Sequence, residues 1–150
     1  MPESDNIKII KMTTAEAKAA AETESLTLGN EAWTEQGITE TLNRNGHYFA
    51  IYKNGKPAGH GGFTAVLDEG DITNIAVRPE FCRQGLASII LYTMINEAKT
   101  LELSFLTLEV RKSNQPAISL YKKFRFAVTG ERKNFYQNPT ENAIIMTLDL

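Results

Sequence analysis

The stretch Asp71-Ile-Thr-Asn-Ile-Ala-Val-Arg-Pro-Glu-Phe-Cys-Arg-Gln-Gly-Leu-Ala-Ser88 decides how this chain folds. Its first half is β-branched and apolar (Ile72, Thr73, Ile75, Val77) and stops at Pro79, which cannot continue a central strand. A short basic loop follows, Cys82-Arg83-Gln84-Gly85. From Leu86 onward apolar residues recur at helical spacing, at Ala87, Ile90, Leu91, Met94, Ile95 and Ala98. Strand, basic glycine loop and helix bring free backbone N–H groups and the positive end of a helix dipole to one point, with Arg83 beside them. Such a point attracts a phosphate or pyrophosphate.

Two common phosphate motifs are absent. The chain has no G-x-x-x-x-G-K-[ST], and no G-x-G-x-x-G after a strand. Gly59-His60-Gly61-Gly62 is rich in glycine but lies inside a strand-like run, not before a helix.

Working outward, the pattern predicts a strand over Ile7–Met12, then a helix over Ala15–Ser25 capped by Thr13 or Thr14 with Glu16 in its first turn. That helix carries little large apolar surface, which makes it thin and peripheral, or mobile. A second helix spans Glu35–Arg44 and ends at Asn45-Gly46. Strands Tyr48–Lys53 and Lys56–Val66 are joined by Asn54-Gly55, a strong hairpin signal. Asp68-Glu69-Gly70 turns into the strand ending at Val77, and the glycine-loop helix runs to about Thr100. A strand over Phe105–Val110, a helix over Pro116–Phe124 and strands over Val128–Arg132 and Ala143–Leu148 complete the chain. Hairpins first and β-α-β units later imply an α/β protein with a mixed sheet and helices on both faces. No repeat, linker or low-complexity segment appears, so residues 1–150 are expected to form a single domain.

Composition narrows the function. Apolar content of 42% and charged content of 23% are ordinary for a globular protein. A formal net charge of -2 gives no bulk attraction to nucleic acid or anionic membrane. The one cysteine excludes an internal disulfide framework, which fits a cytoplasmic location. No apolar run approaches the ~18–20 residues that span a bilayer, and Met-Pro-Glu-Ser-Asp-Asn at the start lacks the features of a signal peptide. His47 and His60 lack metal-ligand spacing, and Asp68, Glu69 and Asp71 read as a turn, so no metal is expected.

The Cys82-Arg83-Gln84-Gly85-Leu86-Ala87 run resembles the [Gln/Arg]-x-x-Gly-x-[Gly/Ala] signature of the GCN5-related N-acetyltransferases (GNAT), with Cys82 in place of the first Gln or Arg. Further segments are similar to one branch of that family, the ribosomal-protein alanine N-acetyltransferases (RimI-like). These are Leu108-Glu109-Val110-Arg111-x-Ser113-Asn114, Ala117-x-x-Leu120-Tyr121, Arg132-Lys133-Asn134-Phe135-Tyr136 and Glu141-Asn142-Ala143-Ile144-Ile145-Met146. Trp33-Thr34-Glu35 resembles the branch's Trp-Ser-Glu. Phe135 stands where Tyr is usual, and Asn142 where Asp is usual.

The resemblance implies the acyl-CoA N-acyltransferase fold, with a mostly antiparallel sheet of about six or seven strands. It implies an enzyme that moves an acetyl group from acetyl-CoA to a primary amine by direct attack in a ternary complex. It assigns the pyrophosphate to Arg83, Gln84, Gly85, Leu86, Ala87 and Ser88. The pantetheine and thioester fall to Ile75, Ala76 and Val77, on a strand splayed from its neighbour, and Asn114 adds a further contact to the CoA moiety.

Glu109 is the candidate general base and Tyr121 the candidate acid for the departing thiolate. The plain alternatives are a Glu paired with Arg111 or another surface cation, a core tyrosine on an amphipathic helix, and an Asn helix cap. An α-amine with a reference pKa of about 7.7–8.0 is already partly neutral near neutral pH, so the base need only collect the last proton. An acyl-Cys82 intermediate is disfavoured, since no Cys–His pairing accompanies it in the sequence. The acceptor is expected to be a protein or peptide N-terminus of the ribosomal-protein alanine type. A small amine (polyamine, amino acid or antibiotic) or a non-catalytic CoA-binding sensor are the alternatives, and the state is monomer or homodimer.

Overall fold

The computed structural model describes residues 5–150. The opening Met-Pro-Glu-Ser, part of the segment read above as lacking signal-peptide features, lies outside the described residues. Seven strands form one sheet in the order β1-β2-β3-β4-β5-β7-β6. They are β1 (Ile7–Lys11), β2 (Gly46–Lys53), β3 (Lys56–Val66), β4 (Glu69–Val77), β5 (Phe105–Arg111), β6 (Ala127–Tyr136) and β7 (Glu141–Asp149). The helices are α1 (Ala17–Thr27), α2 (Glu35–Arg44), α3 (Leu86–Thr100) and α4 (Gln115–Lys123). β1–β2, β2–β3, β5–β7 and β6–β7 pair antiparallel, and β4–β5 pair parallel. This is the mixed α/β architecture expected from the sequence, with its mostly antiparallel sheet.

The residues fall into two compact units. One takes in the chain up to Thr64 together with Thr73–Met94, the other Ala65–Ile72 and Ile95–Leu150. In the first, Met12, Ala17, Ala20, Ile38, Tyr48 and Ala50 form a buried cluster, with Trp33, Leu42 and Tyr52 packed at its margin. Thr13 caps the first turn in a full capping box, its hydroxyl accepting from Ala15 N–H while the Glu16 carboxylate accepts from Thr13 N–H at 2.7 Å. The Asn54-Gly55 turn has φ of 51° and 78°, the left-handed pair that a two-residue hairpin demands.

The glycine-rich run in β3 serves packing. A Cβ on Gly61 would lie 2.6 Å from the Ile90 side chain of α3, so only glycine allows helix and strand to approach this closely.

α1 departs from expectation. It is fixed through buried polar groups, not through an apolar stripe. Glu24 is fully buried and accepts from Trp33 N–H (2.8 Å) and Asn74 Nδ2 (3.0 Å), and its second oxygen lies 2.7 Å from His60 Nε2. Arg78, just past β4, donates to Thr23 Oγ1 (2.8 Å) and Ala19 O (3.1 Å).

In the second unit, the core face of β5 carries buried Leu106, Leu108 and Val110, and β7 adds Ala143, Ile144 and Met146 to the buried set. Ile118 and Tyr121 of α4, with Phe126, are buried too. The opposite face of β5 carries half-buried Phe105, Thr107 and Glu109, the alternation the sequence predicts.

Candidate active site

The first unit presents the loop. Arg83, Gln84 and Gly85 are exposed, Arg83 and Gly85 have φ of 63° and 79°, and α3 starts at Leu86. The first α-helical bond of α3 runs from Ile89 N–H to Gly85 O at 3.2 Å, so the amides of Leu86, Ala87 and Ser88 precede the ladder and point out of the helix end. A Cβ built on Gly85 would meet no atom within 4 Å, so open space adjoins these amides. The Gln84 side chain is steadied by Lys53 Nζ. This loop, with α3's dipole behind it, fits the pyrophosphate of a CoA thioester.

Cys82 occupies the position where the family carries a donor. Its exposed thiol lies 3.5 Å from Arg78 O and 3.7 Å from Val77 O, which folds it back onto the strand end. Ile75, Ala76 and Val77 lie on the last turnings of β4, with Ala76 buried and its neighbours half-buried.

The second unit presents the titratable groups. The β4–β5 register ends at Asp71↔Thr107, although β4 runs on to Val77 and β5 to Arg111. Glu109, two residues beyond Thr107 on the same face, has a side chain 30% exposed, and its Oε1 lies 3.3 Å from Arg132 Nε. The expected alternative partner, Arg111, is engaged elsewhere. It donates to Glu141 (3.1 Å), Pro139 O (2.9 Å) and Gln137 O (2.9 Å), with its guanidinium 4.6 Å from the Tyr136 ring centre.

Tyr121 is buried, with its ring 5.5 Å from Phe126. Burial pushes its phenol above the ordinary tyrosine range, with a smaller contribution from Tyr136, so it stays protonated. Asn114 caps α4, its side-chain oxygen accepting from Ala117 N–H at 3.2 Å.

Asp71 is the residue that sequence reasoning passed over as part of a turn. Desolvation, and then the Glu109 charge, hold its carboxyl above the usual range, while Arg132 pulls it down. No signal in the sequence marks it, because it lies on β4 and only the pairing Asp71↔Thr107 relates it to the strand that carries Glu109.

The two departures from the branch pattern are absorbed locally. Asn142 Oδ1 accepts from Asn134 N–H (3.0 Å) and its Nδ2 donates to Glu131 (2.6 Å), a role an aspartate could not fill. That bond heads the causes holding Glu131 below the usual carboxylate range. Phe135 is 46% exposed and edge-on to Tyr136. Among the described residues no group of His, Cys, Asp and Glu could hold a metal ion, and no helix is long and apolar enough to cross a membrane. His60 is held by Glu24, and His47 stacks on Phe63.

Residues 9–126 match the sequence profile of the acetyltransferase (GNAT) family. A Bacillus subtilis (strain 168) protein, provisionally named a [ribosomal protein bS18]-alanine N-acetyltransferase, is 40% identical over 116 residues, covering 76% of this chain and 77% of that protein. The crystal structure of the ribosomal-protein-S18-alanine N-acetyltransferase from Escherichia coli superposes with a TM-score of 0.89 at 34% identity, covering 96% of this chain and 94% of that one. A GNAT family acetyltransferase from Elizabethkingia anophelis with acetyl-CoA bound gives a TM-score of 0.80 at 25% identity, covering 98% of this chain and 100% of that one.

Proposed function

The chain belongs to the acetyltransferase (GNAT) family and is an N-acetyltransferase with acetyl-CoA as its donor; from that premise we propose that it acetylates the N-terminal α-amine of a ribosomal protein of the S18 type. The observation that carries this reading is Glu109, a half-exposed carboxylate on the face of β5 opposite the core, within Leu-Glu-Val-Arg. The similarity to the Escherichia coli and Bacillus proteins supports the choice of acceptor. Since Asn142 and Phe135 are accommodated by contacts within β6 and β7, their departure from the branch pattern does not favour a small amine. The reading places the enzyme in the cytoplasm, with a protein partner and neither nucleic acid nor membrane at the reacting centre.

In the proposed reaction the loop from Arg83 to Ser88 holds the donor's pyrophosphate and Ile75, Ala76 and Val77 its pantetheine arm, with Asn114 a further contact. Glu109 takes the proton of the substrate ammonium. The freed amine nitrogen forms a bond to the thioester carbonyl carbon, gives up its second proton to solvent, and collapse of the tetrahedral adduct breaks the C–S bond. The leaving sulfur meets the Tyr121 phenol. A thiol has a reference pKa of about 8.5, so a phenol raised by burial holds its proton more tightly than the thiol does. Tyr121 therefore stabilises the thiolate by donating a hydrogen bond, and the proton that completes CoA-SH comes from solvent.

The test is steady-state turnover with peptides beginning Ala-Arg against a panel of small amines. Peptide acceptors are expected to be preferred. Glu109→Gln is expected to lower peptide turnover by about 10²–10⁴-fold, most severely at low pH, with acetyl-CoA affinity nearly unchanged. Equal rates for Glu109→Gln across pH would remove Glu109 from the role. Tight CoA binding without thiol release from any acceptor would make the protein a sensor.

A further inference from the structure

Lys53 closes β2, one step before the Asn54-Gly55 turn. Its ammonium donates to Gln84 Oε1 in the loop before α3 and lies 3.2 Å from Asp5 Oδ2. The lysine side chain is 14% exposed, far less than a free surface lysine. We infer that Lys53 is a positioning residue for the CoA donor: by holding the Gln84 carbonyl oxygen, it fixes the amide so that its N–H groups serve the pyrophosphate. This rests on the reading of the Arg83–Ser88 loop as the donor's phosphate site.

The chain brings the two residues together within the first unit. Arg78 N–H donates to Ala58 O at 2.8 Å, which ties the end of β4 to β3. The antiparallel pairing Lys53↔Lys56 sets the hairpin end just beyond Ala58. The hairpin and the loop that leaves β4 at Pro79 therefore stand at the same end of these strands. The start of β1 secures the lysine there. Asn54 N–H donates to Asn6 O at 2.7 Å, and Asn6 N–H donates to Asn54 Oδ1 at 2.9 Å. These bonds hold Asp5 beside the ammonium, and hydrogen bonds from Lys53 and then Asn54 keep its carboxyl below the usual carboxylate range.

The donor chemistry makes the bond directional. An ammonium only donates, so Lys53 selects the oxygen of the Gln84 carboxamide and leaves both Nε2 hydrogens for another acceptor. An exposed glutamine without that partner turns freely, and half of its orientations present an oxygen that repels phosphate. The neighbouring Cys82 supplies no such donor. Its thiol is folded back toward Arg78 O and Val77 O, at 3.5 and 3.7 Å. Arg83 and Gln84 are thus the side-chain donors of this loop, and Lys53 decides how the second of them faces. Fixing it before the ligand arrives lowers the ordering cost of binding.

The experiment is a calorimetric titration of acetyl-CoA into the parent, Lys53→Met, Gln84→Ala, the double variant and Lys53→Arg. Lys53→Met is expected to raise Kd roughly 3- to 10-fold. The double variant is expected to bind no more weakly than Gln84→Ala alone, because the lysine acts through the glutamine. Lys53→Arg, which also only donates, is expected to recover most of the affinity. Acetyl-3′-dephospho-CoA, which keeps the pyrophosphate, is expected to show the same loss in Lys53→Met, and acetyl-pantetheine no loss.

An unchanged Kd in Lys53→Met would overturn the inference, as would a full loss from that substitution in the Gln84→Ala background. A loss shared by acetyl-pantetheine would reduce Lys53 to a support of the hairpin. A loss that vanishes with acetyl-3′-dephospho-CoA would move the lysine to the 3′-phosphate and overturn the route through Gln84. Gly85→Val separates this claim from its premise. Acetyl-CoA affinity kept in Gly85→Val would bring down the loop assignment and this inference with it. Affinity lost there but unchanged in Lys53→Met would overturn this inference alone.

Discussion

At Gly85 the backbone sits at φ 79°, and an ideal Cβ there meets no protein atom within 4 Å. The left-handed conformation alone costs a residue with a side chain roughly 1–2 kcal/mol. The added bulk enters the space the loop amides face, so the protein itself is not crowded. Gly85→Val is therefore expected to fold with modestly reduced stability and to lose acetyl-CoA binding, measured by calorimetric titration; unchanged affinity would displace the donor from this loop. The need for glycine here was legible in the sequence, because loop and helix are local. So was the orientation of Glu109, since strand alternation fixes it. Its Arg132 contact was not, because that residue reaches Glu109 from β6, with β7 between, through a β6–β7 pairing whose register shifts between Val128 and Gly130. Asp71 escaped for the same reason: only the strand register reveals that its side chain and Glu109's share a face.

Among elements, α1 shows most clearly where pattern reading stops. The 3-10 turn that leads into it was readable from Thr13 and Glu16, which form the capping box. The helix's anchoring was not. A helix of Ala, Lys, Thr and Glu looks peripheral by apolar content, yet Glu24 and Thr23 are buried and reach β3, β4 and the approach to α2. The single carboxylate of Glu24 organises three segments far apart in sequence. Removing one partner of a buried, hydrogen-bonded pair of this kind typically costs about 3–5 kcal/mol, because the remaining polar groups stay desolvated. Glu24→Ala is expected to lose stability in that range by urea denaturation at neutral pH, and faster amide exchange is expected through α1 and at Trp33. A loss within the ±0.5 kcal/mol usual for surface changes would mean that α1 is held by its alanines.

At the scale of the whole molecule, β3, α2 and α3 begin and end where the periodicity and breakers place them, because each is bounded by a residue with a fixed conformational demand. Those demands are Asn54-Gly55 before β3, Thr34 and Asn45 around α2, and Gly85 before α3. β6 and β7 are longer than the pattern indicates. β6 is mostly exposed and polar, so pairing with β7 and not apolar alternation extends it to Tyr136. Donor binding should register across such a fold as linkage. A ligand that binds only the native state, at 100 times its dissociation constant, stabilises by about 2.7 kcal/mol. For a chain of this length each kcal/mol raises Tm by about 2–4 °C, so acetyl-CoA is expected to raise Tm by roughly 5–10 °C. Acetyl-pantetheine, which lacks the pyrophosphate, is expected to give a much smaller rise at equal concentration, because the amides of Leu86 to Ser88 and the α3 dipole then have no anion to hold. Equal shifts from the two thioesters in a thermal scan would place the dominant contacts on the pantetheine arm and not on the glycine loop.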